Sequence, residues 1–155
     1  MRLLTPQMER AARIEYVAAQ LLPRTASLTR LLRREIASPL SGSEPGVLNT
    51  LRDGPRRITE LAELEGVAQP TMTLLIKRLE RRGLVVRGRQ PGDGRVVVVS
   101  LTEAGTAAFE ELRDLAGAVL GTYLVEMPDE QIAALAAATE TLAELAALIQ
   151  NGTPA

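Results

Sequence analysis

The chain has 155 residues, enough to bury a core of ordinary domain size. Hydrophobic residues make up 46% and aromatics only 2%, so the core must come from Leu, Val, Ile and Ala. Cys and His are both absent, which excludes disulfides, thiol and imidazole catalysis and Cys/His zinc sites.

The net charge of −1 hides a polarity along the chain. Residues 1–51 hold seven Arg against four acids, and residues 52–102 ten Arg or Lys against six. Residues 103–155 hold one Arg against nine acids. A basic middle beside an acidic tail suits a polyanion partner for the middle, and equally a solvated charged surface. The motifs have to decide between them. The first 16 residues carry five charges and no apolar signal core, and no run of apolar residues approaches an uninterrupted span. The expectation is a soluble, cytoplasmic protein with no membrane partner.

In chain order, Thr5-Pro6 predicts a helix start and apolar spacing carries the helix to about Ala37, with a kink or a break at Pro23. Residues 38–46, rich in Ser, Gly and Pro, read as a loop into a short helix that stops at Gly54-Pro55. Thr59 is the expected cap of the next helix, with Glu60 and Glu63 at its positive end and Gly66 breaking it. Pro70 opens a helix to Arg82 that Gly83 terminates. Leu84-Val85-Val86 and Val96-Val97-Val98-Val99, joined across Gln90-Pro91-Gly92-Asp93-Gly94, predict a β-hairpin. Thr102-Glu103 and Pro128 start two further helices, and residues 151–155 are expected to fray.

The unit that carries chemistry is helix, tight turn, helix and hairpin over residues 58–101. Leu61, Leu64, Val67, Met72, Leu75, Ile76 and Leu79 supply apolar contacts beneath, and Ala62 lets the helices cross closely before Gly66. The outer face of the second helix keeps Gln69, Thr71, Thr73, Lys77, Arg78 and Arg81. Small hydrogen-bonding groups near the N-terminus, with cations further along, suit base edges and phosphates in a major groove. Arg87, Arg89 and Arg95 surround the hairpin loop, a thin basic ribbon able to place an Arg in a minor groove. Asp93, two residues before Arg95, is expected to orient that guanidinium. The alternatives are an amphipathic helix with a solvated turn, or a winged helix used to bind protein. No nucleophile elbow or phosphate-binding Gly loop supports an enzyme.

Residues 58–85, Ile-Thr-Glu-Leu-Ala-Glu-Leu-Glu-Gly-Val-Ala-Gln-Pro-Thr-Met-Thr-Leu-Leu-Ile-Lys-Arg-Leu-Glu-Arg-Arg-Gly-Leu-Val, resemble the DNA-binding core of the multiple-antibiotic-resistance regulator (MarR) family. Gly92-Asp-Gly-Arg-Val-Val-Val-Val-Ser-Leu-Thr-Glu-Ala-Gly105 resembles that family's wing and the Leu-Thr-x-x-Gly start of the following helix. The resemblance implies a mainly α fold with a small β-hairpin wing. Residues 1–46 would form the N-terminal dimerisation helix and connecting loop, 47–101 the winged helix-turn-helix and 102–150 the C-terminal dimerisation helices, in one compact unit. It further implies a homodimeric repressor of a pseudo-palindromic operator in double-stranded DNA, released by a small, aromatic acid-like effector. By position, Gln69, Pro70, Thr71, Thr73, Lys77 and Arg78 would face the major groove and Arg95 the minor groove. No metal or cofactor is implied. Two departures stand out: Leu74 where many relatives carry Arg, and Gly94 at a wing-tip position that is frequently Arg.

The Ala-rich residues 106–150 leave apolar faces beyond what a winged helix can cover, and a second copy is the economical cover.

Overall fold

A computed structural model describes residues 10–90, 92–150 and 152. The expected helix start at Thr5-Pro6, Pro91 of the hairpin turn and most of the expected frayed terminus lie outside them. The chain divides into two units, residues 1–116 and 117–155.

The first unit opens with α1 (Arg10–Glu35), which runs without a break through Pro23. A kink therefore remains the only local consequence open to that proline, since a helix loses one backbone bond there and its neighbours keep theirs. α2 (Glu44–Arg52) begins earlier than expected, because Pro45 sits in its first turn where a missing N–H is harmless. Gly46 is consequently helical rather than loop.

α3 (Ile58–Leu64) is not capped by Thr59, which lies inside it. The N-cap is Arg57, whose backbone N–H donates to Glu60 Oε2 at 2.9 Å. Glu63 falls in the last turn of so short a helix, away from the positive end of its dipole. The turn to α4 (Gln69–Arg81) follows the expected glycine chemistry. Gly66 adopts φ +64°, its N–H donates to the Glu63 carbonyl, and Val67 N–H donates to the Ala62 carbonyl at 3.0 Å. The end of α4 repeats this pair of bonds at Gly83 (φ +71°), with Leu84 N–H donating to the Leu79 carbonyl at 3.0 Å.

β1 (Val85–Gln90) and β2 (Asp93–Leu101) form an antiparallel hairpin in the register Val85 to Leu101 and Arg87 to Val99. The ladder reaches further toward the tip than the valines alone suggested, with a bulge between Arg89 and Gln90. Arg56 bridges to Val99 through two backbone bonds of 3.0 and 2.8 Å, so a single isolated bridge pins the segment before α3 to β2.

Leu48, Leu51, Leu61, Ala62, Met72, Leu75, Ile76, Leu79, Val85 and Val99 form one buried cluster, with Val67 and Phe109 packed against it. Leu64 is the exception among the expected contacts. It is 54% exposed, because α3 ends there and turns away from the core.

α5 (Glu103–Leu124) is fixed at its start by the Leu-Thr-x-x-Gly sequence. Thr102 Oγ1 donates to the Gly83 carbonyl at 2.7 Å and accepts the Gly105 N–H at 3.0 Å. Gly105 is buried, and a Cβ there would collide with the Leu84 carbonyl. Further along α5, the Phe109 ring lies under the Arg52 guanidinium, 5.3 Å from its centroid.

The second unit holds α6 (Asp129–Gln150), which has no buried residue. α6 is long and apolar enough, by length and composition, to cross a membrane. Glu140 and Glu144 interrupt its apolar run without reversing the average.

Candidate nucleic-acid interface

α4 has two distinct sides. Met72, Leu75, Ile76 and Leu79 are buried, and none of their polar neighbours shares that face. Gln69, Pro70, Thr71, Leu74, Lys77, Arg78 and Arg81 are exposed. Thr73 sits at the border, half-buried, its hydroxyl donating to the Gln69 carbonyl at 2.9 Å. The helix thus spends its apolar spacing on the core and presents donors, acceptors and cations outward.

Beneath that face lies a group that sequence reasoning missed. Glu44, the first residue of α2, is 1% exposed. Its Oε2 accepts the Ser41 N–H at 2.9 Å and a bond from Arg82 Nη1 at 3.0 Å. Its Oε1 lies 3.6 Å from Arg78 Nε. A carboxylate taken out of water needs such partners: the Ser41 amide and Arg82 bond Oε2, while Oε1 accepts no hydrogen bond and has the Arg78 charge beside it. Arg78 is half-exposed, so it reaches outward while held from below. The available signal was an acid followed by proline after a Ser/Gly loop, which marks a helix start but names no partner 34 residues away.

The wing residues separate in the same way. Arg87 is half-buried and pairs with Glu80 through Nε to Oε2 at 3.2 Å, tying β1 to α4. Arg89 and Arg95 are exposed near the tip. Asp93 Oδ1 accepts the Arg95 backbone N–H at 3.1 Å. The contact is therefore with the backbone, where it shapes the tip, and not with the guanidinium as expected. A two-residue separation brings an amide within reach of a short carboxylate more readily than the end of a long side chain.

A further cation unremarked in the sequence stands beside the tip: Arg57, exposed, whose Nη2 donates to Gln90 Oε1 at 3.3 Å. Arg57, Arg89 and Arg95 thus carry positive charge around the outer half of the hairpin, and Lys77, Arg78 and Arg81 carry it along α4. A surface of this kind attracts a phosphate backbone while leaving polar groups for base edges.

Residues 47–97 match the model of the MarR family. Over 95 residues the chain is 33% identical to the HTH-type transcriptional repressor MdtR of Bacillus subtilis (strain 168), the match covering 61% of each chain. The chain thus spans about three-fifths of the length of this curated relative. Its structure is similar to that of a MarR family protein from Bacillus stearothermophilus, with a TM-score of 0.70 and 25% identity over 90% of this chain and 99% of that one. It is also similar to BpsR of Bordetella bronchiseptica, whose DNA binding is regulated by 6-hydroxynicotinic acid. There the TM-score is 0.57 and the identity 25%, over 81% of this chain and 91% of that one. The winged helix-turn-helix of this chain, residues 47–97, is thus similar to that of the MarR family.

Proposed function

We propose that the chain is a homodimeric transcription regulator, a repressor acting in the cytoplasm, that binds a pseudo-palindromic operator through α4 and the wing. The single observation that carries this reading is the two-sided α4. Its apolar side is used up by the core, and its polar, cationic side is open beside an Arg-bearing ribbon. In this reading Gln69, Pro70, Thr71, Thr73, Lys77 and Arg78 lie toward the major groove and Arg95 enters the minor groove. Arg89 and Arg87 sit along the backbone, Arg87 through its tie to Glu80.

Dimerisation is supported by α1 and α6, neither of which buries a residue within the described chain. Leu22 is 75% exposed, Leu148 62% and Ile149 69%. Apolar surface on this scale calls for a cover, and a two-fold pair presents two recognition helices to successive turns of DNA. A bilayer fits α6 less well than a second copy. No Lys or Arg lies between Arg113 and α6, so the helix lacks a basic flank on its N-terminal side.

The effector reading rests on a cavity of about 430 Å³ lined by Leu32, Arg33, Ile36, Leu40, Ser41 and Leu112, among others. An apolar wall with one guanidinium suits a small aromatic acid. Ser41 also donates its N–H to Glu44, so an occupant that shifts this loop acts on the group holding Arg78 and Arg82.

The test starts by enriching duplexes from a random DNA pool with the purified protein. Arg95→Ala is then expected to weaken binding to the enriched site by about 1–3 kcal/mol. Fluorescence anisotropy showing equal affinity would place the wing outside the interface.

A further inference from the structure

Past its first turn, the outward stripe of α4 contains one side chain that can neither donate nor accept a hydrogen bond. Leu74 is 65% exposed in the middle of the helix. It lies two residues from both Met72 and Ile76, which are fully buried, and two residues on a helix is a rotation of about 200°. Leu74 therefore points almost directly away from the core. Thr71 and Pro70 precede it by three and four residues, and Lys77 and Arg78 follow by three and four, so it stands at the centre of the polar face.

Solvent gives no reason for a branched apolar side chain there, and the core does not reach it. The major groove does offer one apolar feature on its floor, the 5-methyl group of thymine. Resting on the DNA-binding reading above, we propose that Leu74 is a specificity-determining residue that selects thymine by packing against its methyl group. The polar and cationic residues around it set the register, and Leu74 adds a preference at one base pair of each half-site. An amide or guanidinium at this position would instead seek the hydrogen-bonding edge of a purine.

The test uses the full chain and replaces each thymine of the enriched duplex in turn by deoxyuridine, which lacks only the methyl. At one thymine per half-site, deoxyuridine should weaken wild-type binding about fourfold, the factor expected for one methyl kept from burial. The same replacement should leave Leu74→Ala unaffected, and Leu74→Ala should melt at the wild-type temperature because the site is exposed. A deoxyuridine penalty that is equal in wild type and Leu74→Ala, or absent from every position, would overturn the proposal while leaving DNA binding intact. Failure to enrich any duplex would remove the DNA-binding reading, and this proposal with it.

Discussion

Gly105→Ala is expected to lower the free energy of unfolding by about 3 kcal/mol, although alanine is the better helix former. Two effects oppose each other. Alanine in place of glycine within a helix gains about 1 kcal/mol from propensity. Against that, the new Cβ would meet the Leu84 carbonyl and come within 2.9 Å of Leu101 Cδ1. Neither chain segment can yield by changing a rotamer alone, since the main obstacle is backbone. Relief requires α5 to back away from the α4–β1 turn. That movement stretches the 2.7 Å bond from Thr102 to the Gly83 carbonyl and the 3.2 Å bond from Thr102 N–H to the Leu84 carbonyl. Each is worth about 1 kcal/mol when made. Steric cost and lost bonds together exceed the propensity gain. Urea denaturation followed by circular dichroism measures the difference. A more stable Gly105→Ala would show that α5 does not approach the turn this closely.

The second large effect concerns Glu44. Its carboxylate is buried, and its removal leaves Ser41 N–H, Arg82 and Arg78 without their shared partner. Breaking a fully buried ion pair costs about 3–5 kcal/mol. Here the guanidinium side chains are 52% and 33% exposed and can recover water, which lowers the expected cost of Glu44→Ala to about 2–3 kcal/mol. For a chain of this size that corresponds to a fall in Tm of roughly 5–10 °C. Glu44→Gln keeps the shape and an acceptor for Ser41 and loses the charge, so its melting temperature should fall between the two. Calorimetry giving three equal melting temperatures would mean that the clamp contributes nothing to the folded state.

What the sequence revealed, and what it concealed, follows from the range of each interaction. The end of α4 is legible because Arg82, Gly83 and Leu84 are neighbours, and a left-handed residue after a helix asks for glycine. The buried side of α4 is legible because Met72, Leu75, Ile76 and Leu79 obey the helical period. The Thr59 cap was misplaced by one turn chemistry competing with another. Arg57 takes the N-cap position because Arg56 is already paired with Val99, which fixes where the helix can begin. That pairing joins residues 43 apart in sequence and leaves no local mark.

The candidate site divides along the same line. The outward polar stripe of α4 could be read from spacing alone. The partners of its cations could not. Arg78 and Arg82 look alike in sequence to Arg81, yet two of the three share Glu44 and the third does not stand over it. Arg87 and Arg89 look alike, and alternation puts them on one face of β1, so nothing in the sequence marks Arg87 as the one level with Glu80 of α4. A charge count therefore overstates the cations that the wing offers outward.

The central claim is that the outer face of α4 enters a major groove, once in each half of a two-fold site. The chain has no cysteine, so Thr71→Cys provides a single attachment point for a DNA-cleaving iron chelate. Bound to its enriched duplex, the labelled protein should cut at two clusters about one helical turn apart, each facing a major groove. A control label on exposed Glu63→Cys should not reproduce them. Cuts scattered along the duplex, or the same pattern from both labels, would contradict the account.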